Sequence, residues 1–439
     1  MKLLKSILII VMMLPLFSCN RADRPIDPMT LGPAIVELRN VEGRYRLFVN
    51  DEEFFVKGAG CEFGPCYMIA AHGGNAIRTW RTDNQQKSGR EVLDEAWENG
   101  LMVMMGLDVG RERHGFDYSD EAAVAAQLEK LREEVMELRG HPALLGWGIG
   151  NELNLHYTNT KVWDAVNDIA KMIREVDGNN VTTTMLAGIN RRDVQYIKEK
   201  APYLDFISIQ MYGDIINLQQ RIKESGFTGP YLITEWGATG HWEVALTEWG
   251  SPIEQTSAEK ADAIKERYQK AILADDANCL GSFVFLWGQK QERTPTWYGL
   301  FTETGEKTEA IKVMEYLWTG QKPAIAAPRI NEITIEGKGG RFDNVRLEAN
   351  GEYVVKFTVE YPMMENLTVR AEIMPEPVEL SVGGDYERRP VSIEGLIQEA
   401  NTSQVIFRAP QTKGAHRVFV YVTDNENFVA TANVPFYVR

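Results

Sequence analysis

Residues 143–154 read ALLGWGIGNELN, an apolar run that ends in the polar pair Asn151 and Glu152. The run shows no alternation of apolar and polar side chains, which is typical of a strand in a parallel sheet covered on both faces. Seven further runs have the same character, and stretches with helical periodicity separate them. These runs are EFFVKGAG (53–60), NAIRTW (75–80), LMVMMGLDV (101–109), VTTTML (181–186), LDFISIQMYG (204–213), PYLITEWGA (230–238) and CLGSFVFLWG (279–288).

Eight strand-and-helix units over residues 34–320 predict a (β/α)8 TIM barrel, an α/β fold. The stretch 120–140 is one of the predicted helices, because its apolar residues recur every three or four positions. A doubly wound open sheet is the alternative architecture. That fold usually carries a glycine-rich phosphate turn after its first strand, and KGAGCEFGPC at 57–66 does not match the pattern.

The pattern changes after the barrel. Residues 321–328 are a predicted linker, and residues 329–439 alternate apolar and polar side chains in short runs separated by turn residues. This alternation predicts a small C-terminal immunoglobulin-like β-sandwich. The segment 375–400 shows no clear pattern. Because the aromatic residues of the sandwich alternate with polar ones, as core residues do, the sequence favours a spacer over a glycan-binding module.

The first residues have the features of a bacterial export signal. Lys2 and Lys5 precede an apolar run at 7–17, which is shorter than the roughly 20 residues that a membrane span needs. LFSC at 16–19 resembles the lipobox of bacterial lipoproteins, which predicts a signal peptide at 1–18, lipidation of Cys19 and a tether at 19–33. An ordinary cleaved signal is the alternative. Both interpretations predict export, and the first adds a lipid anchor in the cell envelope, on the periplasmic side or at the cell surface.

Charge and composition narrow the classes of partner. The formal net charge of −15 argues against a nucleic-acid partner, because a polyanion binds clustered Lys and Arg. The six histidines show no metal-binding spacing, and neither a metal nor a cofactor is predicted. Cys61, Cys66 and Cys279 fit no zinc or redox motif. A Cys61–Cys66 disulfide and buried free thiols are both compatible with the sequence.

In a TIM barrel, catalytic residues gather where the strands end at the C-terminal rim. Glu152 follows the fourth apolar run, and Glu235 lies near the end of the seventh. Two carboxyl groups at one cavity can divide the work of glycosidic cleavage, because one donates a proton to the leaving oxygen while the other stays ionised. Other residues at the run ends are predicted substrate contacts, the tryptophans through stacking on sugar rings. They are Arg78, Trp80, Asn151, Tyr212, Trp236 and Trp287.

The loops after the fourth, seventh and eighth runs add further candidates. Trp242 and Trp297 lie in such loops, where substrate contact and loop packing are both compatible with the sequence, and Trp297 is retained as a predicted contact. His156 and His241 follow the two glutamates and are candidates for contacts with substrate hydroxyls.

Several of these stretches resemble known enzymes. HPALLGWGIGNELN (141–154) resembles the acid/base strand of retaining glycoside hydrolases of clan A, and YLITEWGA (231–238) resembles their nucleophile strand. The barrel domain of glycoside hydrolase family 2 is the most similar pattern, and the resemblance covers residues 35–320. The stretches that carry it are GGNAIRTW (73–80), VLDEAWENGLMVMMGLDV (92–109) and YGLFTETGEKTEAIKVM (298–314).

The resemblance implies a retaining double displacement in which Glu152 is the acid/base and Glu235 is the nucleophile. It also implies that Arg78 and Tyr212 orient the nucleophile. Asn151 is then expected on the 2-hydroxyl group of the sugar, and Trp287 on the floor of the subsite. The family typically continues after this arginine with a His-Tyr-Pro-like sequence, whereas Thr-Trp-Arg stands at 79–81 here, so the sugar stays open.

The sequence therefore predicts an exported β-glycosidase that acts on an oligo- or polysaccharide. A transglycosylase is one alternative, because it uses the same site and differs only in whether water or a sugar takes the glycosyl group. A carbohydrate-binding lipoprotein without turnover is another. Loss of either glutamate would mark a binding protein, and both Glu152 and Glu235 are present.

Overall fold

A computed structural model describes residues 27–439. The predicted signal peptide and the predicted lipidation site, Cys19, lie outside the described residues and stay predictions. Within residues 27–439, no helix is long and apolar enough to cross a bilayer.

The first sheet of the described residues is three-stranded and antiparallel. Its strands are β1 (Val36–Val41), β2 (Arg44–Val49) and β3 (Glu52–Phe54). Ala34, Val36 and Leu47 of this region are buried against barrel residues such as Val56 and Phe283. The sheet thus packs on the barrel through a shared apolar cluster.

Eight parallel strands then close into a barrel, which confirms the predicted fold class. Each predicted apolar run corresponds to one strand of the barrel. The strands are β4 (Val56–Gly60), β5 (Ala76–Arg78), β6 (Met102–Leu107), β7 (Leu144–Asn151), β8 (Val181–Ala187), β9 (Phe206–Gln210), β10 (Tyr231–Glu235) and β11 (Cys279–Val284).

Helices alternate with these strands. Their starts follow local sequence signals, since Ser88 with Glu91 and Thr256 with Glu259 each form a capping box at a helix N-terminus. A short π-helical turn, Tyr268–Ile272, continues α7. The helices are α1 (Met68–Ala71), α2 (Gly89–Glu98), α3 (Glu121–Leu138), α4 (Lys161–Val176), α5 (Arg191–Lys200), α6 (Leu218–Ser225), α7 (Ser257–Arg267) and α8 (Glu309–Thr319).

The C-terminal part consists of two mainly antiparallel five-stranded sheets that enclose a separate apolar core. One sheet has the order β12-β21-β20-β17 with β15 beside β21, and the other has the order β14-β13-β16-β19-β18. These strands are β12 (Lys307–Thr308), β13 (Arg329–Ile335), β14 (Gly339–Gly340), β15 (Val345–Leu347), β16 (Glu352–Glu360), β17 (Thr368–Pro375), β18 (Ile397–Asn401), β19 (Gln404–Arg408), β20 (Gly414–Thr423) and β21 (Phe428–Val438).

The sandwich is attached to the barrel by a buried polar cluster around Glu254. This carboxylate is 1% exposed and accepts four side-chain hydrogen bonds. Arg417 of β20 extends the cluster, because it donates to the Oδ1 of Asn433 at 2.8 Å and to the carbonyl of Pro252 at 2.8 Å. The four donors to Glu254 are Lys260 and Thr296 on Oε1 and Thr294 and Asn433 on Oε2.

The structure decides between the disulfide and the free thiols that the sequence leaves open. Cys61 and Cys66 form a disulfide with their Cα atoms 5.9 Å apart. Cys279 is buried as a free thiol.

Candidate active site

A cavity of about 840 Å³ opens at the C-terminal rim of the barrel. Asn151 and Glu152 at the end of β7, and Glu235 at the end of β10, line it together. The volume lies within the range of about 300–1,000 Å³ that small-molecule sites occupy. The structure thus brings the two predicted catalytic carboxyl groups to one cavity.

Glu235 is 6% exposed and accepts hydrogen bonds from four side chains. Three of the donors reach Oε1, whereas Oε2 receives a single bond, at 2.8 Å, from the hydroxyl of Tyr212. Three donors thus occupy Oε1, whereas Oε2 keeps free lone-pair capacity. The donors to Oε1 are Arg78 Nη1 at 2.9 Å, Trp80 Nε1 at 2.8 Å and Gln210 Nε2 at 3.1 Å.

Arg78, at the end of β5, connects several parts of the floor. Its Nη1 also donates to the carbonyl of Thr234 at 3.0 Å, and its Nη2 donates to Oδ1 of Asn151 at 2.7 Å. Gln210 donates to the same Asn151 oxygen at 2.7 Å. Because two donors occupy this oxygen, the amide nitrogen of Asn151 is the group available to a ligand.

Glu152 has a different environment. Burial and the neighbouring charge of Glu235 raise the pKa of Glu152 to about 7. Within residues 27–439, no side chain donates a hydrogen bond to its carboxyl group. Its backbone has φ 52°, a left-handed conformation uncommon outside glycine, and the chain turns there from β7 into the following loop. The two carboxyl groups of the cavity therefore differ in their hydrogen-bond partners, since Glu235 accepts four side-chain donors and Glu152 accepts none among the described residues.

Aromatic side chains form the walls beside the carboxylates. Trp80 and Tyr212 line the cavity, and each makes an edge-to-face contact with Phe285, at ring-centroid distances of 5.8 and 5.9 Å. Burial and Glu235 raise the pKa of the Tyr212 phenol well above its usual value, so the hydroxyl stays a donor. Trp242 is 60% exposed and lines the outer part of the cavity.

Four predicted substrate contacts do not line the cavity, and we correct the prediction for them. Arg78 is 1% exposed and donates to Glu235 and Asn151. The other three are tryptophans. Trp236 follows Glu235 directly, and since successive strand residues face opposite sides, it lies outside the barrel against Tyr268. Trp287 stacks on Trp318 of α8 at a centroid distance of 5.9 Å. Trp297 is 1% exposed and donates to the carbonyl of Thr239. All three are core residues.

The structure adds residues that the sequence patterns do not single out. Gln210 and Phe285 lie inside apolar runs, yet both line the cavity. His241 lines it as well, whereas His156 does not. His241 contacts Glu292 at 3.3 Å. Although burial opposes ionisation, the hydrogen bond from His241 and the charge of Lys290 hold the pKa of Glu292 below its usual value.

The C-terminal sandwich also contributes to the site. Residues 381–386, which belong to the segment without a clear sequence pattern, line the outer part of the cavity. The interpretation of the sandwich as a spacer is therefore incomplete. In the part of the chain that the structure describes, no group of three His, Cys, Asp or Glu residues is arranged to hold a metal ion.

Comparisons with known proteins relate the fold to glycoside hydrolases. No protein-family model and no curated protein matches the chain. The β-glucuronidase 2 of Bacteroides uniformis, covalently bound to cyclophellitol-6-carboxylate aziridine, has a TM-score of 0.50 at 13% identity over 93% of this chain and 48% of that chain. The chain thus spans about half the length of that enzyme. At this identity the likeness is one of fold.

Two further solved structures have lower scores. A β-glucuronidase of Bifidobacterium dentium has a TM-score of 0.48 at 14% identity, over 65% of this chain and 49% of that chain. A glycoside hydrolase family 5 mannosidase of Rhizomucor miehei has a TM-score of 0.47 at 12% identity, over 64% of this chain and 96% of that chain.

Proposed function

We propose that this protein is a retaining β-glycosidase with Glu235 as nucleophile and Glu152 as acid/base. The observation that carries the proposal is the contrast between the two carboxyl groups of one cavity. Glu235 is oriented by four side-chain hydrogen bonds, one of them from the guanidinium of Arg78, whereas burial and Glu235 raise the pKa of Glu152 to about 7. One group is thus suited to attack and the other to donate a proton.

In the first step, Oε2 of Glu235 bonds to the anomeric carbon while the bond from that carbon to the leaving oxygen breaks. The electron pair stays on the leaving oxygen, and the proton of Glu152 transfers to it. Oε2 is the attacking atom because Tyr212 is its single donor, whereas Arg78, Trp80 and Gln210 occupy Oε1. Tyr212 and Arg78 thereby fix the orientation of the carboxylate.

In the second step, a water oxygen bonds to the same carbon and its proton transfers to the Glu152 carboxylate. The ester bond to Glu235 breaks, and its electron pair returns to Oε2. Two inversions at one carbon retain the β configuration. Transfer to a sugar hydroxyl in place of water follows the same path and gives transglycosylation.

The charge around the cavity supports a neutral sugar as the substrate. Among the residues that line it, carboxyl groups outnumber cationic side chains by eight to four. Each cation also has a carboxylate partner, as Arg81 has in Glu62 and Lys290 has in Glu292. An anionic sugar would meet net repulsion there. The eight carboxyl groups belong to Glu62, Asp108, Glu152, Asp214, Glu235, Glu243, Glu292 and Asp385, and the four cations to Arg81, Arg111, Lys290 and Arg293.

The test is release of 4-nitrophenol from a panel of β-glycosides, with a β-glucuronide as the anionic member. We expect turnover of a neutral glycoside, loss of it in Glu235→Gln, and partial rescue of Glu152→Ala by azide with formation of the β-glycosyl azide. A 2-deoxy-2-fluoro analogue of the substrate should add its glycosyl mass to the peptide that contains Glu235. Binding of oligosaccharides without turnover of any glycoside or polysaccharide would contradict the proposal and indicate a binding protein.

A further inference from the structure

The segment between β17 and β18, residues 376–396, leaves the sandwich and lies across the barrel mouth. We call it the sandwich loop. Its residues 381–386 line the cavity together with the rim of the barrel. The loop thus belongs to the sandwich in sequence and to the candidate active site in space.

Buried and charged contacts hold the sandwich loop against the barrel. The side chain of Glu387 is fully buried and accepts the backbone N–H of Arg293 at 2.6 Å and that of Ser381 at 2.9 Å. Asp385 contacts His114 Nε2 at 2.8 Å, and Arg293 also donates to the carbonyl of Ser381 at 3.1 Å. Contacts with the barrel loops after β6 and after β11 therefore hold the sandwich loop in place from two sides.

The loop lies on the same side of the cavity as Glu152. Arg113 connects the two, because its Nη1 donates to the carbonyl of Glu152 at 3.0 Å and its Nη2 donates to the carbonyl of Gly383 at 3.5 Å. Gly383 also packs tightly on the chain after Glu152, since a Cβ atom there would lie 2.8 Å from Cδ2 of Leu155. The proton donor in glycoside cleavage stands beside the leaving group.

The sandwich loop presents exposed apolar side chains at this place. Tyr386 is 86% exposed and Val382 is 53% exposed, and both line the cavity. Phe63 and Trp242, at 58% and 60% exposure, line the same cavity from barrel loops. Aromatic side chains that are exposed in a cavity wall offer flat apolar faces to a ring in the ligand.

We propose that the sandwich loop forms the leaving-group subsite, in which Tyr386 and Val382 contact a ring with an apolar face. The ring is either the next sugar of a glycan or an aryl aglycone. This inference rests on the proposed glycosidase function, because the side of the leaving group is defined by Glu152 as proton donor.

The experiment compares kcat/KM of Tyr386→Ala and Val382→Ala with wild type on three substrates that share one sugar. The substrates are the 4-nitrophenyl glycoside, the β-linked disaccharide and the methyl glycoside. We expect Tyr386→Ala to lower kcat/KM about tenfold on a ring-bearing substrate and less than about twofold on the methyl glycoside. Val378, on the same loop, is 93% exposed and does not line the cavity, so Val378→Ala is the matched control for Val382→Ala and should match wild type throughout.

The two ring-bearing substrates distinguish the sources of the ring. A loss confined to the disaccharide identifies a sugar in the subsite, and a loss confined to the nitrophenyl glycoside identifies an aglycone. Equal losses on all three substrates, or no loss on either ring-bearing substrate, would overturn the subsite while leaving the glycosidase intact. Absence of turnover by the wild type on every substrate would overturn the proposed function and this inference with it.

Discussion

Glu235 at the barrel rim and Glu254 at the junction with the sandwich are both buried carboxylates that accept four side-chain hydrogen bonds. They differ in how the donors are distributed. Glu254 receives two donors on each oxygen, whereas Glu235 receives three on Oε1 and one on Oε2. Glu235 also lines the cavity, and Glu254 does not.

On the proposed function, the number of hydrogen-bond partners does not distinguish a nucleophile from a structural carboxylate. A symmetrical set of donors uses both oxygens and fixes the group as a structural connection. The uneven set around Glu235 holds one oxygen and leaves the other accessible to a ligand. One substitution, Glu to Gln, should therefore have opposite consequences at the two positions.

The largest effect is expected for Glu235→Gln. The glutamine oxygen can accept the bonds from Arg78, Trp80 and Gln210, and its amide can donate to the Tyr212 hydroxyl, so the fold should persist. The amide is a poor nucleophile, and kcat/KM should fall at least about 10³-fold. Steady-state kinetics with a thermal melt checks this. Retained activity would exclude Glu235 as the nucleophile, and the proposed functional difference between Glu235 and Glu254 would be lost.

Glu254→Gln should instead destabilise the protein. Lys260 and Asn433 donate to opposite oxygens, and Asn433 cannot flip without losing its bond from Arg417, so an amide nitrogen would face a donor on either side. Removing one partner of a buried ion pair costs about 3–5 kcal/mol. Denaturant unfolding measures this loss, and kcat per folded molecule should match wild type. An unchanged unfolding midpoint would contradict the assignment of Glu254 as a structural connection.

Tyr212→Phe tests the single bond to Oε2. The carboxylate keeps its three donors on Oε1 but loses the group that orients the attacking oxygen, so kcat should fall roughly 10- to 100-fold. Tyr268→Phe is the control, because Tyr268 is a buried tyrosine on the outer side of the barrel. Equal losses of activity in both variants would indicate a packing effect.

The pH profile tests Glu152. Because its pKa is raised to about 7, the carboxyl stays protonated below that pH, and the competent acid form is lost as pH rises. With a disaccharide substrate, kcat/KM should fall about tenfold per pH unit above about 7. Glu152→Gln should remove this limb. If the fall of kcat/KM persists in the variant, it belongs to the titration of another group.

The pH dependence of thermal stability should show the titration of Glu152 as well. A carboxyl group whose pKa rises on folding contributes to stability at pH values below its pKa in the unfolded chain. This contribution is lost as the pH rises through the folded pKa of about 7. Glu152→Gln should therefore raise Tm at pH 8 relative to wild type, and less so at acidic pH.

The smallest effect is expected for Trp287→Phe. Trp287 is fully buried against Trp318, so the substitution should cost about 1–2 kcal/mol of stability and leave KM unchanged. A raised KM with an unchanged Tm would restore Trp287 as the floor of the subsite.

The sequence predicts the barrel well because its strands are covered on both faces and read as continuous apolar runs. The same property obscures where each strand ends. The run at 279–288 stays apolar through Trp287, whereas β11 ends at Val284. Hydrophobicity does not distinguish a strand end from an apolar loop, and this is why Trp287 was predicted at the position that Phe285 occupies.

Only some of the polar residues at the barrel rim can be predicted from the sequence. Asn151, Glu152 and Glu235 stand out because polar side chains follow apolar runs. Gln210 is the last residue of β9 but stands inside an apolar run that continues to Gly213, so the same rule does not find it. Glu254 and the sandwich loop depend on contacts between segments far apart in the chain, and no local periodicity encodes such contacts.

The sandwich loop also has a consequence for the order in which the protein is made. The last barrel helix ends at Thr319, whereas the cavity wall at 381–386 lies more than sixty residues later. Ribosomes build the chain from the N-terminus, and domains generally fold as units in that order. A nascent chain that has emerged through α8 already carries Glu152 and Glu235 but lacks one side of its cleft. The residues that form this side of the cavity are therefore made only after the whole barrel.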